Sequence, residues 1–324
     1  MISSLSNLTH KILNCDNDFL VMRDSVQQLY NMFKEIAQVD IENYNSNDIF
    51  LPSGKALSSS YAAHCLLEMK RTAIFLRGIK KAIDFKLVEK NGKPIRILYA
   101  GTGPYATLIT PLLPFYSSEL VKVDFIEINP ISMQAAKRIV VHFGLTTFVE
   151  HYYVCDAATF TVAKPYDVVI SETMQCCLHN EPQVAIMQNL IPQCSPSALF
   201  IPEQITIDAQ FYKRGTWDGD QLIDEGGAIS YLGEIFRVDK QNLDASKFRG
   251  VISIPHPLKS PHDVLLCTTI RVYNNEVLGF KDCSLNTPLK YYEIRDGYEP
   301  RTIEFWYNQS EKSVIESKVL DYIG

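Results

Sequence analysis

Ile95-Arg96-Ile97-Leu98-Tyr99-Ala100-Gly101-Thr102-Gly103-Pro104-Tyr105 decides how this chain folds. Six mostly apolar residues of strand character run into a tight glycine turn, and Ala106 to Leu113 then opens a helix. From here the pattern alternates, which is the signature of a parallel sheet with helical crossovers. Val121 to Glu127 reads as the next strand, ending on an acid. Asn129-Pro130 starts the following helix, since proline at the first helical position loses no intrahelical bond. Ile131, Ala135, Ile139 and Phe143 give its apolar stripe, and Gly144 its C-terminal cap. Val149 to Cys155 is a third strand, ending at Asp156. Tyr166 to Ile170 is a fourth and Leu199 to Ile201 a fifth.

The strand ends carry the chemistry. Gly101 and Gly103 let a ligand approach the backbone, and Glu127 is placed to accept hydrogen bonds from both hydroxyls of a ribose. Asp156 is placed to meet an adenine amino group. A dinucleotide fingerprint would need a third glycine at Ala106, and Pro104 and Tyr105 crowd that turn, which argues against NAD. After the fourth strand comes Ser171-Glu172-Thr173-Met174-Gln175-Cys176-Cys177-Leu178-His179-Asn180-Glu181. Its two carboxylates suit a cation if both face one pocket. Taken alone, the pair is equally a helix cap and a solvated first-turn acid.

The rest of the chain bounds the answer. Its 324 residues, 46% hydrophobic and 21% charged, are enough for about two domains with an appendage. A net charge of -6 offers no basic stripe, so nucleic acid is not an expected partner. No run is long enough to span a membrane, and the first residues lack signal-peptide features, so a cytoplasmic protein is expected. The eight cysteines show no metal-ligand spacing, and free thiols are expected rather than zinc or a Cys176-Cys177 redox pair. The first ninety residues read as helical, with stripes Phe19, Met22, Val26, Leu29, Phe33, Ile36 and Ala62 to Ile83. Asn43 to Ser60 lies between them as a surface loop or a cover over a site. Beyond Pro202, short strands at Gln204–Phe211, Gly250–Ile254, Val264–Tyr273, Lys290–Ile294 and Thr302–Tyr307 predict an antiparallel, barrel-like domain. His256 and His262 fall in its loops as surface residues or proton acceptors.

AGTGPY (100–105), EINPISMQAAK (127–137), CDAATF (155–160), YDVVISETMQCCLHNEP (166–182) and SPSALFIPEQITI (195–207) together resemble class I S-adenosylmethionine-dependent methyltransferases. They are most similar to the protein arginine methyltransferases, the symmetric-dimethylating branch in particular. The resemblance covers roughly residues 55 to 212. It implies an α/β fold with a Rossmann-like sheet: an N-terminal helical region (1–90), a cofactor domain (91–202) and a C-terminal β-rich substrate and dimerisation domain (203–324). It also implies S-adenosylmethionine as cofactor, bound by Gly101, Gly103, Glu127, Asp156 and Ala157. In a helix Tyr61 to Ile83, Tyr61 would cover it. Arg71, with Lys70 as the second choice, would pair with its methionine carboxylate. Glu172 and Glu181 would clamp a substrate guanidinium, with Met174, His179 and Tyr291 as further acceptor contacts.

Departures bear on the substrate. Tyr99 stands where an acid is frequent, Gln175 replaces a glycine, and Cys176-Cys177 an aromatic. The family's Thr-His-Trp loop is missing, and Lys290-Tyr291-Tyr292 is the nearest counterpart. These changes, with a reduced second domain, favour a small guanidino acceptor such as arginine over a protein arginine. The alternatives are an O- or amine methyltransferase, aminocarboxypropyl transfer, and a non-catalytic cofactor-binding subunit. Tyr212 to Arg249, with Trp217 and Gly226-Gly227, takes the place of a dimerisation arm, so a homodimer is a further expectation.

Overall fold

A computed structural model describes residues 2–15, 18–39, 48–255, 261–294, 300–310 and 312–322. His256 lies outside the described residues, as does the side chain of Trp217. Helices α1 (Ile2–Asn14) and α2 (Phe19–Ala37) pair at the start. Asp18 caps α2 by accepting from the amides of Leu20 and Val21. Its buried stripe is Met22, Val26, Leu29 and Phe33; Phe19 is exposed, so the apolar face begins one turn later than its spacing predicts. A short hairpin, β1 (Ile49–Leu51) and β2 (Gly54–Ala56), follows.

The single helix expected from Tyr61 to Ile83 is two helices, α3 (Ser59–His64) and α4 (Met69–Glu89), with a 3-10 turn between them. The break falls at Glu68, whose ψ of 82° leaves the helical region. Glu68 is held there from a distance, since its carboxylate accepts from the amide and hydroxyl of Ser284 at 2.7 and 2.9 Å.

Five parallel strands form the central sheet: β3 (Ile95–Ala100), β4 (Val121–Ile126), β5 (Val149–Tyr153), β6 (Val168–Ser171) and β7 (Leu199–Ile201). Their order is β5-β4-β3-β6-β7. The chain leaves β3 outward on one side and returns beside it as β6, so a crevice opens at the carboxyl ends of these two strands. Helix α5 (Pro130–His142) connects β4 to β5, and α6 (Gln183–Leu190) connects β6 to β7. Asn129 caps α5, accepting from the amides of Ile131 and Ser132, with Pro130 at the first position as expected. The helix expected at Ala106 to Leu113 is instead a run of turns. Ala106 sits at φ 43° and Pro111 can donate no amide, so the segment keeps isolated turn bonds, such as the Thr110 amide to the Ala106 carbonyl at 3.0 Å, without a continuous ladder.

The C-terminal half is antiparallel. Strands β8 (Gln204–Lys213), β9 (Thr216–Asp218), β10 (Gln221–Asp224), β11 (Ile229–Asp239), β12 (Arg249–Ser253) and β13 (His262–Tyr273) come first. β14 (Glu276–Leu278), β15 (Leu289–Ile294), β16 (Pro300–Asn308) and β17 (Val314–Tyr322) complete it. One sheet runs β11-β8-β13-β14, with β15 also on β13, and a second runs β12-β16-β17. β9 and β10 form a separate hairpin that leaves Leu222 and Ile223 exposed. His262 stacks on Phe211, ring centroids 4.2 Å apart.

The two halves meet where α4 crosses β13. A Cβ on Gly78 would lie 2.5 Å from Val272 Cγ1, and Val272 is fully buried, so a glycine inside this helix sets the approach. Gly78→Ala gains about 1 kcal/mol of helix propensity but overpacks a closed contact at about 1–3 kcal/mol. A net loss of about 1 kcal/mol is expected in denaturant unfolding, and a stabilised variant would show that the contact yields.

Candidate active site

The crevice at the ends of β3 and β6 widens into a cavity of about 630 Å³. Gly101 (φ 75°) and Gly103 (φ 60°) form its floor. A Cβ on Gly101 would lie 2.3 Å from Thr173 Cγ2, so no other residue fits beneath the loop that leaves β6. Glu127 ends β4 and is buried. One of its oxygens accepts from the Gly103 amide at 2.7 Å and the other from the Asn129 amide at 2.9 Å. Among the described residues no cation is paired with it. Burial therefore pushes the carboxyl above the usual carboxylate range, although the amides oppose it. A donor pair such as a ribose diol suits that group. Asp156, at the end of the β5 segment, accepts from the Ala158 amide at 2.8 Å and lines the same cavity with Ala157. This donor and acceptor set, with a volume inside the usual range for small ligands, fits S-adenosylmethionine.

Glu172 and Glu181 face the other end. The loop carrying them is held against its own strain, since Cys177, Leu178 and Asn180 have φ of 54°, 56° and 61°. A side chain in that region costs on the order of 1 kcal/mol, so something else must fix the loop. Gln183 does so at its start, its amide oxygen accepting from the Thr173 amide and hydroxyl at 2.9 and 3.0 Å. The C-terminal sheets hold the middle. Thr268 accepts from the Cys177 amide at 2.8 Å, the Tyr307 hydroxyl donates to the Leu178 carbonyl at 3.2 Å, and Ser313 accepts from the Asn180 amide at 2.8 Å. The hairpin closes the end, the Lys55 amide donating to the Asn180 carbonyl at 2.6 Å.

Arg71 lies beneath this loop, buried. It donates to Glu68 at 2.6 Å and, by a shorter contact, to Glu172. Glu68 sits below the usual carboxylate range; burial pushes it up, and the Arg71 and Ser284 bonds outweigh that. Among the described residues no ion pair is made to Glu181. Burial first, and the Glu172 charge second, push its carboxyl up to about 7. Among the described residues, Oε1 of Glu172 and Oε1 of Glu181 are buried with no hydrogen-bond partner. Leaving a buried charged acceptor unsatisfied costs several kcal/mol, so the geometry calls for a ligand with donors in fixed directions.

The cavity wall brings together Tyr61, Arg71, Gly101, Gly103, Glu127, Asp156, Ala157, Glu172, Met174 and Glu181 among the residues expected from the sequence. It does not bring in His179 or Tyr291. Their side chains meet each other, His179 Nε2 3.2 Å from the Tyr291 hydroxyl, which donates to the Ile315 carbonyl on β17. Lys70 pairs with Asp282, and Lys290 turns outward to Asp263 and Glu293. In place of Lys290-Tyr291-Tyr292, the turn Ser284-Leu285 supplies the wall. Sequence reasoning also missed Glu68, Cys65, Lys55 and Asp48. Only Glu68 carried a local signal, lying one helical turn before Arg71. All eight cysteines are free. Asp124, Glu150 and His151 could gather a cation, but the Lys164 ammonium bridges the two acids at 2.8 and 2.7 Å.

No family profile and no curated protein matches the chain. Solved structures do. A chain of the Trypanosoma brucei PRMT1 enzyme-prozyme heterotetramer with AdoHcy superposes at a TM-score of 0.56 and 14% identity, covering 82% of this chain and 94% of that one. Arabidopsis thaliana protein arginine methyltransferase 10, in an open conformation, gives 0.47 at 11% identity, over 76% and 95%. The first of these settles the architecture: the chain shares the fold of that neighbour, a Rossmann-like sheet joined to an antiparallel β domain.

Proposed function

We propose that the protein is an enzyme that transfers a methyl group from S-adenosylmethionine to a guanidino nitrogen of a small molecule. The observation that carries this reading is the pair of buried, unpartnered carboxylate oxygens on Glu172 and Glu181, in one cavity with the glycine turn and Glu127. Bound there, S-adenosylmethionine supplies an electrophilic methyl on a sulfonium sulfur. Gly101, Gly103, Glu127, Asp156 and Ala157 would hold its nucleoside and Arg71 its carboxylate, with Tyr61 over it. Glu172 and Glu181 accept from the guanidinium in charge-assisted bonds, fix its plane and stabilise charge on the attacking nitrogen. Alignment of this kind contributes on the order of 7–11 kcal/mol to a displacement. With its carboxyl near 7, Glu181 is the group able to take the proton the nitrogen gives up.

The hairpin β1–β2 supports a small acceptor. Leu51 and Lys55 line the cavity, and the hairpin is bonded to the double-glutamate loop, so the acceptor sits under a cover. Calorimetry with S-adenosylhomocysteine beside a turnover assay on guanidino compounds tests the reading. Tight binding with no transfer to any of them would make the chain a cofactor-binding subunit instead. The same reading takes the exposed Leu222 and Ile223 as part of a contact between two copies, and a monomer in sedimentation equilibrium at micromolar concentration would exclude it.

A further inference from the structure

Lys55 and Asp48 form an ion pair in the wall of the cavity, and the mechanism above makes no use of it. Lys55 Nζ lies 3.0 Å from Asp48 Oδ2, and both side chains are about a quarter exposed, at 26% and 23%. An ion pair this open adds little to stability, so its place on the cavity wall asks for another account. Two contacts fix where the pair stands. The other oxygen of Asp48 accepts from the Ser58 amide at 2.8 Å, at the start of α3. The Lys55 amide binds the Asn180 carbonyl, and a Cβ on Gly54 would lie 2.7 Å from that oxygen, so the hairpin backbone lies directly against the residue before Glu181. The pair therefore stands beside the double-glutamate loop, on the acceptor side, and the Lys55 charge is felt at Glu181.

The cavity thus presents two charge patterns to one acceptor: a buried carboxylate pair at one end, and one cation beside one anion under the hairpin. A guanidinium answers the first. A carbon bearing both an ammonium and a carboxylate answers the second, the carboxylate on Lys55 and the ammonium on Asp48. We propose that Lys55 and Asp48 recognise the head group of the acceptor and that the acceptor is a free guanidino amino acid. This rests on the guanidino reading above and adds the far end of the substrate to it. An arginine inside a polypeptide carries amides in place of both charges and leaves the pair unanswered.

Four acceptors test it: L-arginine, agmatine without the carboxylate, 5-guanidinopentanoate without the ammonium, and Nα-acetyl-L-arginine amide without either charge. With charge-assisted bonds each contributing about 10- to 100-fold, the wild-type kcat/KM for L-arginine should exceed that for the blocked compound by about 100-fold or more. Lys55→Met should lower the arginine-to-agmatine ratio by about 10-fold. Asp48→Asn, which keeps an acceptor for the Ser58 amide, should do the same to the arginine-to-5-guanidinopentanoate ratio. Both losses should fall in KM, and both variants should keep cofactor-product affinity, which shows that they fold. Equal kcat/KM for blocked and free arginine would overturn the head-group proposal and leave the guanidino reading standing. So would an equal loss on all four acceptors, because the pair would then only pin the hairpin. Turnover of none of the four would overturn the guanidino reading and this proposal together.

Discussion

Glu181→Gln is expected to lower kcat about 1,000-fold and, above pH 7, to raise the melting temperature of the cofactor-free protein. The two effects have one cause. Glu181 is a buried acid whose charge is offset in this cavity only from a distance, and burial with the Glu172 charge pushes its carboxyl up to about 7. The folded state therefore holds its proton more tightly than the unfolded chain, where a glutamate titrates near ~4.3. Below that pH the group is neutral in both states and contributes nothing. Between the two values stability falls as pH rises, and above about 7 the loss is complete, on the order of 3 kcal/mol before relaxation. Glutamine cannot ionise, so the variant escapes this loss; a gain of a few degrees at pH 8 that vanishes at pH 4 is the expected signature. Activity has the opposite dependence. A cationic acceptor needs the ionised clamp, so wild-type kcat/KM should rise through about pH 7 and level off above it. Glu172→Gln should lose turnover similarly without gaining stability, because its carboxylate already has a partner in Arg71. Wild-type turnover in both variants would end the clamp hypothesis.

The parallel sheet was readable because its strands are buried on both faces and appear as short apolar runs bounded by glycine, proline and acids. Ile95–Ala100 and Val168–Ser171 have nothing else they could be. Local rules also placed Asn129-Pro130 at the start of α5. They failed where distant parts of the chain decide the backbone. Glu68 interrupts a good helical pattern because Ser284, remote in sequence, holds its carboxylate. Residues 106–113 carry helix-compatible residues, yet Ala106 takes a positive φ and Pro111 has no amide to give, so only isolated turn bonds form. β11 lies within Tyr212 to Arg249, the segment in the place of a dimerisation arm, and Gly233 and two register shifts interrupt its alternation. In the site, the strand-end residues were legible by position alone. Lys55, Asp48 and Ser284 were not, because they sit in turns and short strands whose only message is tertiary. Tyr291 looked like a pocket residue by its place in the sequence, but β15 pairs with β13 and turns its hydroxyl toward β17.

Arg71→Met is expected to be the most damaging single substitution for stability. It removes the guanidinium placed between Glu68 and Glu172, both of them partly or fully buried, and leaves Glu172 unpaired beside Glu181. Breaking a buried pair by deleting one partner costs about 3–5 kcal/mol, most of it the isolated charge rather than the lost attraction. Arg71→Lys should recover only part, since one ammonium cannot span two carboxylates as a fork does. The double variant Arg71→Met with Glu172→Gln separates the contributions. If the unpaired charge dominates, neutralising it should restore at least half of the lost unfolding free energy while turnover stays absent. Cofactor-product affinity distinguishes a second role. Arg71 lines the cavity, and a carboxylate arriving there would compete with Glu172 for the same guanidinium. Both variants lacking Arg71 should then bind S-adenosylhomocysteine at least about 10-fold more weakly, the worth of one charge-assisted bond. Unchanged affinity in the folded double variant would confine Arg71 to holding Glu172, and the carboxylate of the methyl donor would have to be held elsewhere.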